Sequence, residues 1–132
     1  NLTEDRFRLL GFTLSQRMKV YPELHTALIW LSLEDQKQFC YNKGDTEGFV
    51  NYPLSIKDII FSAFIREDEE MVKLSFRSQS TFPTNEFAAQ FFHGGGHLNA
   101  SGGELYGTLS EAISRFEDGI GVYAEKLRNT PK

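Results

Sequence analysis

Cysteine is nearly absent from this chain, which contains one, Cys40, among 132 residues. A single cysteine excludes an internal disulfide and is typical of a reducing compartment, so we expect a cytoplasmic protein. Cys40 lies between Phe39 and Tyr41, which favours a buried structural thiol over a nucleophile.

Long apolar runs are missing as well. No segment approaches the roughly 18 consecutive apolar residues that a transmembrane helix needs, so no membrane partner is predicted. The N-terminus lacks a basic stretch followed by an apolar segment, and no signal peptide is therefore predicted. The chain begins with Asn1 rather than methionine, from which we expect a processed product or a fragment of a longer protein.

An excess of basic residues is also lacking, because 14 lysines and arginines stand against 18 aspartates and glutamates. The net charge of −4 and the pI near 5.4 argue against a broad electrostatic surface for nucleic acid. A narrow basic pocket that binds one or two phosphates needs only a few donors, and the negative net charge does not exclude it. Hydrophobic residues make up 40% of the chain and include 12 phenylalanines, which predicts one globular domain with an ordinary core.

Hydrophobic periodicity predicts alternating helices and strands, and hence an α/β (α+β) fold with a mixed β-sheet flanked by helices. A first helix begins after Thr3, carries apolar positions as far as Met18, and is ended by Tyr21–Pro22. The expected strands cover residues 24–33, 56–65 and 71–79, and the expected later helices cover 33–41, 84–92 and 109–127.

Local capping signals refine these boundaries. Ser32 is expected to cap the second helix, Thr84 or Asn85 the third, and Thr108 the last, where a Glu three residues later completes a capping box. A helical turn over 98–101 and a short edge strand over 104–106 are expected between the last two helices.

Glycine is concentrated in the stretch Gly94–Gly103, where five of ten residues are glycine. Unhindered backbone N–H groups can form a concave anion site, and His97, Asn99 and Ser101 would add side-chain donors. A tight turn that uses glycine only for steric reasons is the alternative.

Arg77 and Ser78 end a strand whose residues alternate between apolar and polar. An arginine offers a planar pair of donors to an oxyanion, so this strand end is a second candidate phosphate contact. A solvated arginine at the strand end is the alternative. No metal site is predicted, because the three histidines have no carboxylates at ligand-like spacing.

The segments Gly94–His97 and Ala100–Gly102 match the Gly-Gly-Gly-His-x-x-Ala-x-Gly signature of a known family. The strand Lys73–Ser78 and the residues Asn85 and Ala88 also fit. On these motifs, residues 24–127 resemble the DHH-associated domain, first subtype, of the DHH phosphoesterase superfamily. Asp45–Gly48 is similar to a segment of the subgroup that includes nanoRNases and phosphoadenosine-phosphate phosphatases. His93 departs from the pattern, since close relatives often have a fourth glycine there.

The resemblance implies a division of labour between two domains. It makes residues 1–22 a helix from the interdomain connection and residues 23–132 a substrate-binding domain. An N-terminal DHH catalytic domain would hold the divalent metal, manganese or magnesium, and this chain alone would be inactive. The implied substrate is a nucleotide or short oligoribonucleotide phosphate, and a homodimer is left open.

The implied substrate contacts combine the strand end with the glycine stretch, and His97 is the candidate contact to the transition state. They are Arg77, Ser78, Gly94, Gly95, Gly96, His97, Asn99, Ala100, Ser101 and Gly102. Two other functions stay open: a nucleic-acid-binding module without a catalytic role, and a substrate domain of the exopolyphosphatase type.

Overall fold

The computed structural model describes residues 3–132 as helices on both sides of one β-sheet. The described α-helices are α1 (Glu4–Gln16), α2 (Leu33–Gln38), α3 (Thr84–Phe92), α4 (Leu109–Val122) and α5 (Ala124–Asn129). The described strands are β1 (Met18–Tyr21), β2 (Thr26–Leu31), β3 (Phe61–Glu67), β4 (Val72–Ser78), β5 (Gly95–Gly96) and β6 (Ala100–Leu105). Short 3-10 segments cover Pro22–Leu24 and Phe49–Ser55.

The strands lie in the order β1-β2-β3-β4-β6-β5. β2 and β3 are parallel and every other neighbouring pair is antiparallel, so the predicted mixed sheet is confirmed. β5 and β6 form a hairpin at one edge, with β6 paired along its full length to β4. The glycine stretch is therefore part of the sheet.

One face of the sheet packs against α3, α4 and α5 through a core rich in phenylalanine. Phe61 is fully buried at its centre, and its ring lies 4.6 to 6.0 Å from the rings of four other phenylalanines. These are Phe76, Phe82, Phe87 and Phe116. Burying aromatic side chains of this size supplies much of the free energy that holds helices to a sheet.

The other face is covered only in part. α1 and the 3-10 segment Phe49–Ser55 pack over β2 and β3 through a smaller apolar cluster that includes Leu9, Phe49 and Phe64. β4 and β6 turn Lys73, Ser75, Arg77 and Gly102 toward the same side, where each is exposed or half-buried. We call this part of the sheet the open face.

The capping predictions are confirmed at three helices and wrong at one. Thr3, Ser32 and Thr108 each accept a backbone N–H at the start of their helix, and the last two form full capping boxes. α3 instead begins after Pro83 without a side-chain cap. The Thr84 hydroxyl donates to the His97 carbonyl at 3.0 Å, so tertiary contact takes the group that would have capped the helix.

Three further expectations are corrected. The first helix ends at Gln16 and Met18 begins strand β1, because pairing with β2 satisfies the backbone there. No helical turn forms at 98–101, since Leu98 and Asn99 make a two-residue turn between β5 and β6. The strand expected over 104–106 begins already at Ala100 and lies one position in from the sheet edge.

Cys40 is exposed, not buried as the aromatic neighbours suggested. It follows the end of α2 with a φ of +52°, a left-handed conformation that points the chain out of the helix. Its neighbours Phe39 and Tyr41 are only half-buried.

Candidate functional site

Arg77 and His97 are brought to the same face of the sheet by the register of three strands. Arg77 in β4 lies opposite Ala100 in β6. His97 closes the β5–β6 hairpin against Ala100, donating its N–H to the Ala100 carbonyl at 2.7 Å. Residues directly opposite one another in a sheet share a face, so Arg77, Ala100 and His97 lie on the same face. Because neighbouring strands are about 4.8 Å apart, the backbones of Arg77 and His97 are separated by about 10 Å.

Both side chains keep donors available for a ligand. Arg77 is half-buried and donates from Nη1 to the Phe76 carbonyl at 2.9 Å, which leaves Nε and Nη2. Among residues 3–132, no carboxylate forms an ion pair with Arg77 and no group hydrogen bonds to the exposed His97 imidazole. An arginine and an imidazole on the same face of a sheet, one strand apart, offer donors that could together hold an oxyanion.

The backbone N–H groups of the glycine stretch are partly engaged within the fold. The Gly94 N–H donates to the Ala88 carbonyl at the end of α3, and that of His97 is taken by Ala100. In an antiparallel pair of strands, hydrogen-bonded and non-hydrogen-bonded residue pairs alternate. Because His97 and Ala100 are a hydrogen-bonded pair, Gly96 and Ser101 are not, and the Gly96 N–H points away from β6 at the sheet edge. The donors nearest the open face are therefore the side chains.

Ser78 and Asn99 are joined to each other. The Ser78 hydroxyl is buried, donates to the Phe82 carbonyl at 2.7 Å and accepts from Asn99 Nδ2 at 2.9 Å. Asn99 Nδ2 also donates to the Ser80 carbonyl at 3.1 Å. This network fixes the β5–β6 turn against the end of β4, next to Arg77.

Ser101 and Gly102 occupy opposite faces of β6. Ser101 lies opposite Phe76, on the helix side, and its buried hydroxyl has no hydrogen-bond partner among the described residues. Gly102 lies opposite Ser75 on the open face, where it forms part of the floor of a groove. The substrate contacts predicted from the sequence are thus divided, with Arg77, His97, Ala100, Gly95 and Gly102 on the open face.

A groove of about 460 Å³ lies beside Arg77 on the open face. Its floor includes Phe64, Ser75 and Gly102, and its wall is formed by the segment 41–50. The charged residues that line it are Lys43, Glu47, Arg66, Lys73, Arg77 and Glu104. Lys43, Arg66, Lys73 and Glu104 were not predicted as site residues. Of these, Lys73 could have been found from the sequence, because the alternation of β4 places it on the same face as Arg77.

The basic residues of the groove differ in how far they are neutralised. Arg66 and Lys73 lie 3.9 and 3.6 Å from Asp68. A backbone hydrogen bond from Glu69, reinforced by these two cations, lowers the pKa of Asp68. Asp68 therefore stays ionised at neutral pH and offsets part of their charge, whereas Arg77 retains its own.

His93 has a backbone conformation that favours glycine. It ends α3 with a φ of +50° and ψ of +33°, a left-handed conformation that glycine adopts without cost. Its side chain is exposed. The departure from glycine therefore leaves the backbone path intact.

Metal-ligand geometry is not found in the part of the chain that the structure describes. Among residues 3–132, no group of three or more His, Cys, Asp and Glu side chains could hold a metal ion. No described helix is both long and apolar enough to cross a bilayer.

Comparison with known proteins places the chain in a family. The DHHA1 domain pattern matches residues 26–124. A crystal structure of an exopolyphosphatase-related protein from Bacteroides fragilis superposes with a TM-score of 0.95 at 55% identity, covering 98% of this chain and 38% of that one. The pGpG-specific phosphodiesterase PggH from Vibrio cholerae shares the fold, with a TM-score of 0.64 at 17% identity over 92% of this chain and 39% of that one. No curated protein sequence matches this chain.

Proposed function

The chain belongs to the DHHA1 domain family, and on that premise we propose that it is the substrate-binding part of a DHH phosphoesterase. Domains of this family accompany an N-terminal DHH catalytic domain. This chain spans 38% of the Bacteroides fragilis protein, which leaves room there for such a domain. The metals that activate water would belong to that domain, and this chain would bind and orient the substrate.

The observation that carries the proposal is the pairing of Arg77 and His97 across Ala100. Arg77 would donate to two oxygens of one phosphate, and His97 would approach the same group from the turn of the β5–β6 hairpin. Positioning and charge stabilisation account for most of the catalysis of phosphoryl transfer. A domain without metal can therefore change the rate strongly, and His97 is the proposed contact to the transition state.

The groove beside Arg77 would receive the organic part of the substrate. Its floor combines the small residues Ser75 and Gly102 with Phe64, which is 5% exposed, and is therefore partly apolar. A bare polyphosphate would gain nothing from such a floor, because its surface is charged throughout. We therefore favour a nucleotide or short oligoribonucleotide, and a homodimer of the whole protein stays a prediction.

The test uses the full-length protein that carries this chain, assayed with Mn²⁺ on a diribonucleotide. Arg77→Ala and His97→Asn should each lower kcat/KM about 100-fold or more, the effect of removing one oxyanion donor. The controls are Arg115→Ala, on the helix side of the sheet, and His93→Asn, four residues before His97 and exposed. Normal turnover in both site variants, with wild-type unfolding curves, would refute the assignment.

An exopolyphosphatase-type substrate is the second candidate, because the Bacteroides fragilis protein is described as exopolyphosphatase-related. Tripolyphosphate should compete weakly with the diribonucleotide if the groove takes a nucleoside. Turnover of polyphosphate at a higher kcat/KM than any nucleotide would replace our proposal by this one.

A further inference from the structure

The segment 42–48, which we call the wall loop, stands over the open face and encloses the groove. Its own hydrogen bonds are local turns: Asn42 N–H to Asp45 Oδ2 at 2.8 Å, and Glu47 N–H to the Gly44 carbonyl at 3.1 Å. Gly44 and Gly48 have φ values of +92° and +86°, so the loop bends through left-handed conformations at both of these points.

One side chain from elsewhere in the described chain is hydrogen bonded to the wall loop. Arg6, in the first turn of α1, donates from Nη2 to the Glu47 carbonyl at 2.5 Å. Its guanidinium also lies 5.9 Å from the centre of the Phe49 ring, immediately after the loop. The planar guanidinium thus contacts the chain on both sides of Gly48.

Phe49 links this contact to the floor of the groove. It is 1% exposed, and its ring lies 6.1 Å from that of Phe64, which lines the groove. Loss of the Arg6 side chain would therefore release the wall loop, while Phe49, which is buried directly after the loop, would stay in place.

We infer that Arg6 is a positioning residue that holds the wall loop over the groove and so sets the affinity for the substrate. The inference rests on the proposed function, because the ligand of the groove is the nucleotide proposed above. Arg6 belongs to α1 and does not itself line the groove, so its effect on the substrate would pass through the wall loop.

Kinetics of the full-length protein on the diribonucleotide test the inference. Arg6→Ala should raise KM about three- to tenfold, the loss of one hydrogen bond, with kcat within twofold of wild type. Arg6→Lys should restore part of the KM, because an ammonium can still donate to the Glu47 carbonyl. The matched control is Arg8→Ala, since Arg8 lies on the same helix, is largely exposed and pairs only with Glu4 among the described residues.

Hydrogen exchange measured by mass spectrometry gives a readout that does not depend on activity. Arg6→Ala should speed exchange in the peptide covering residues 42–48, and Arg8→Ala should leave it unchanged. Equal exchange and equal KM in the two variants would overturn the inference while leaving the proposed function intact. Conversely, normal turnover of both Arg77→Ala and His97→Asn would remove the proposed function even if Arg6→Ala speeds exchange of the wall loop.

Discussion

The three glycines before His97 are required by the fold to different degrees. A Cβ at Gly94 would lie 1.9 Å from the Gly102 carbonyl oxygen, and Gly96 has a φ of +146°. Gly95 has neither constraint, because a Cβ there would meet no described atom within 4 Å. Gly95 lies opposite Gly102, so that open space belongs to the open face. Steric need explains Gly94 and Gly96, whereas a ligand lying against the sheet would explain Gly95.

Alanine substitutions separate these two reasons. Gly94→Ala should lower the free energy of unfolding by about 3 kcal/mol, the upper end of overpacking penalties, because the clash is with backbone. Gly95→Ala should change it by less than about 1 kcal/mol, since alanine is no worse than glycine in a strand. Urea unfolding and the KM for the diribonucleotide check the pair. We expect Gly95→Ala to raise KM, and an unchanged KM would show that the ligand does not approach this part of the sheet.

At the scale of elements, Asp35 joins the end of α1 to the start of α2. Its carboxylate accepts from Arg17 Nε at 3.0 Å and Nη2 at 3.2 Å, and from the Ser32 N–H at 3.1 Å. Burial alone would raise the pKa of Asp35, but these hydrogen bonds and the charge of Arg17 hold it below its ordinary value of 3.8. The ionised form is therefore the one that stabilises the junction.

This junction predicts a pH dependence of stability. A carboxylate whose pKa is lower in the folded state contributes stability above its unfolded pKa, and that contribution is lost as the pH falls through the folded value. Asp35→Asn should cost about 1 to 3 kcal/mol at pH 7, and its difference from wild type should shrink as the pH falls below 3.8 and through the lower pKa of the folded state. Chemical denaturation from pH 2 to 7 measures the difference. Glu34→Gln, exposed on the same turn, is the control, and equal pH profiles of Asp35→Asn and wild type would contradict the assignment.

At the scale of the whole molecule, the two faces of the sheet are covered unequally, and this decides where a ligand can lie. The helix side is filled by a phenylalanine core, while α1 and the 3-10 segment leave the open face accessible. The groove there carries four basic and two acidic residues, although the net charge of the chain is −4. The local charge thus favours one or two phosphates and not a long polyanion.

Salt dependence distinguishes these two kinds of ligand. If about two cations contact a short ligand, the slope of log affinity against log salt should be about −1.4, from 0.7 per neutralised phosphate of a single strand. The affinity of the full-length protein for a phosphorothioate diribonucleotide, measured across a salt series, checks the value. A steeper slope together with affinity that grows with RNA length would favour the nucleic-acid-binding module.

Elements with a local cause could be predicted from the sequence. The capping box and apolar stripe predict the start and buried face of α4, although the single helix expected over 109–127 is divided at Tyr123 into α4 and α5. β2 is a nearly continuous apolar run. Arg77 and the glycine stretch were recognisable as candidates because their residue types are informative by themselves. These features depend on interactions between residues close in the chain, which the order of residues specifies directly.

Only the tertiary structure decided how the candidates are arranged. His97 and Arg77 flank Ala100 because β6 pairs with β4, and Arg6 reaches Glu47 across 41 positions. Contacts between such distant positions depend on strand pairing and on packing of the whole chain, so they could not be predicted from residue types and spacing.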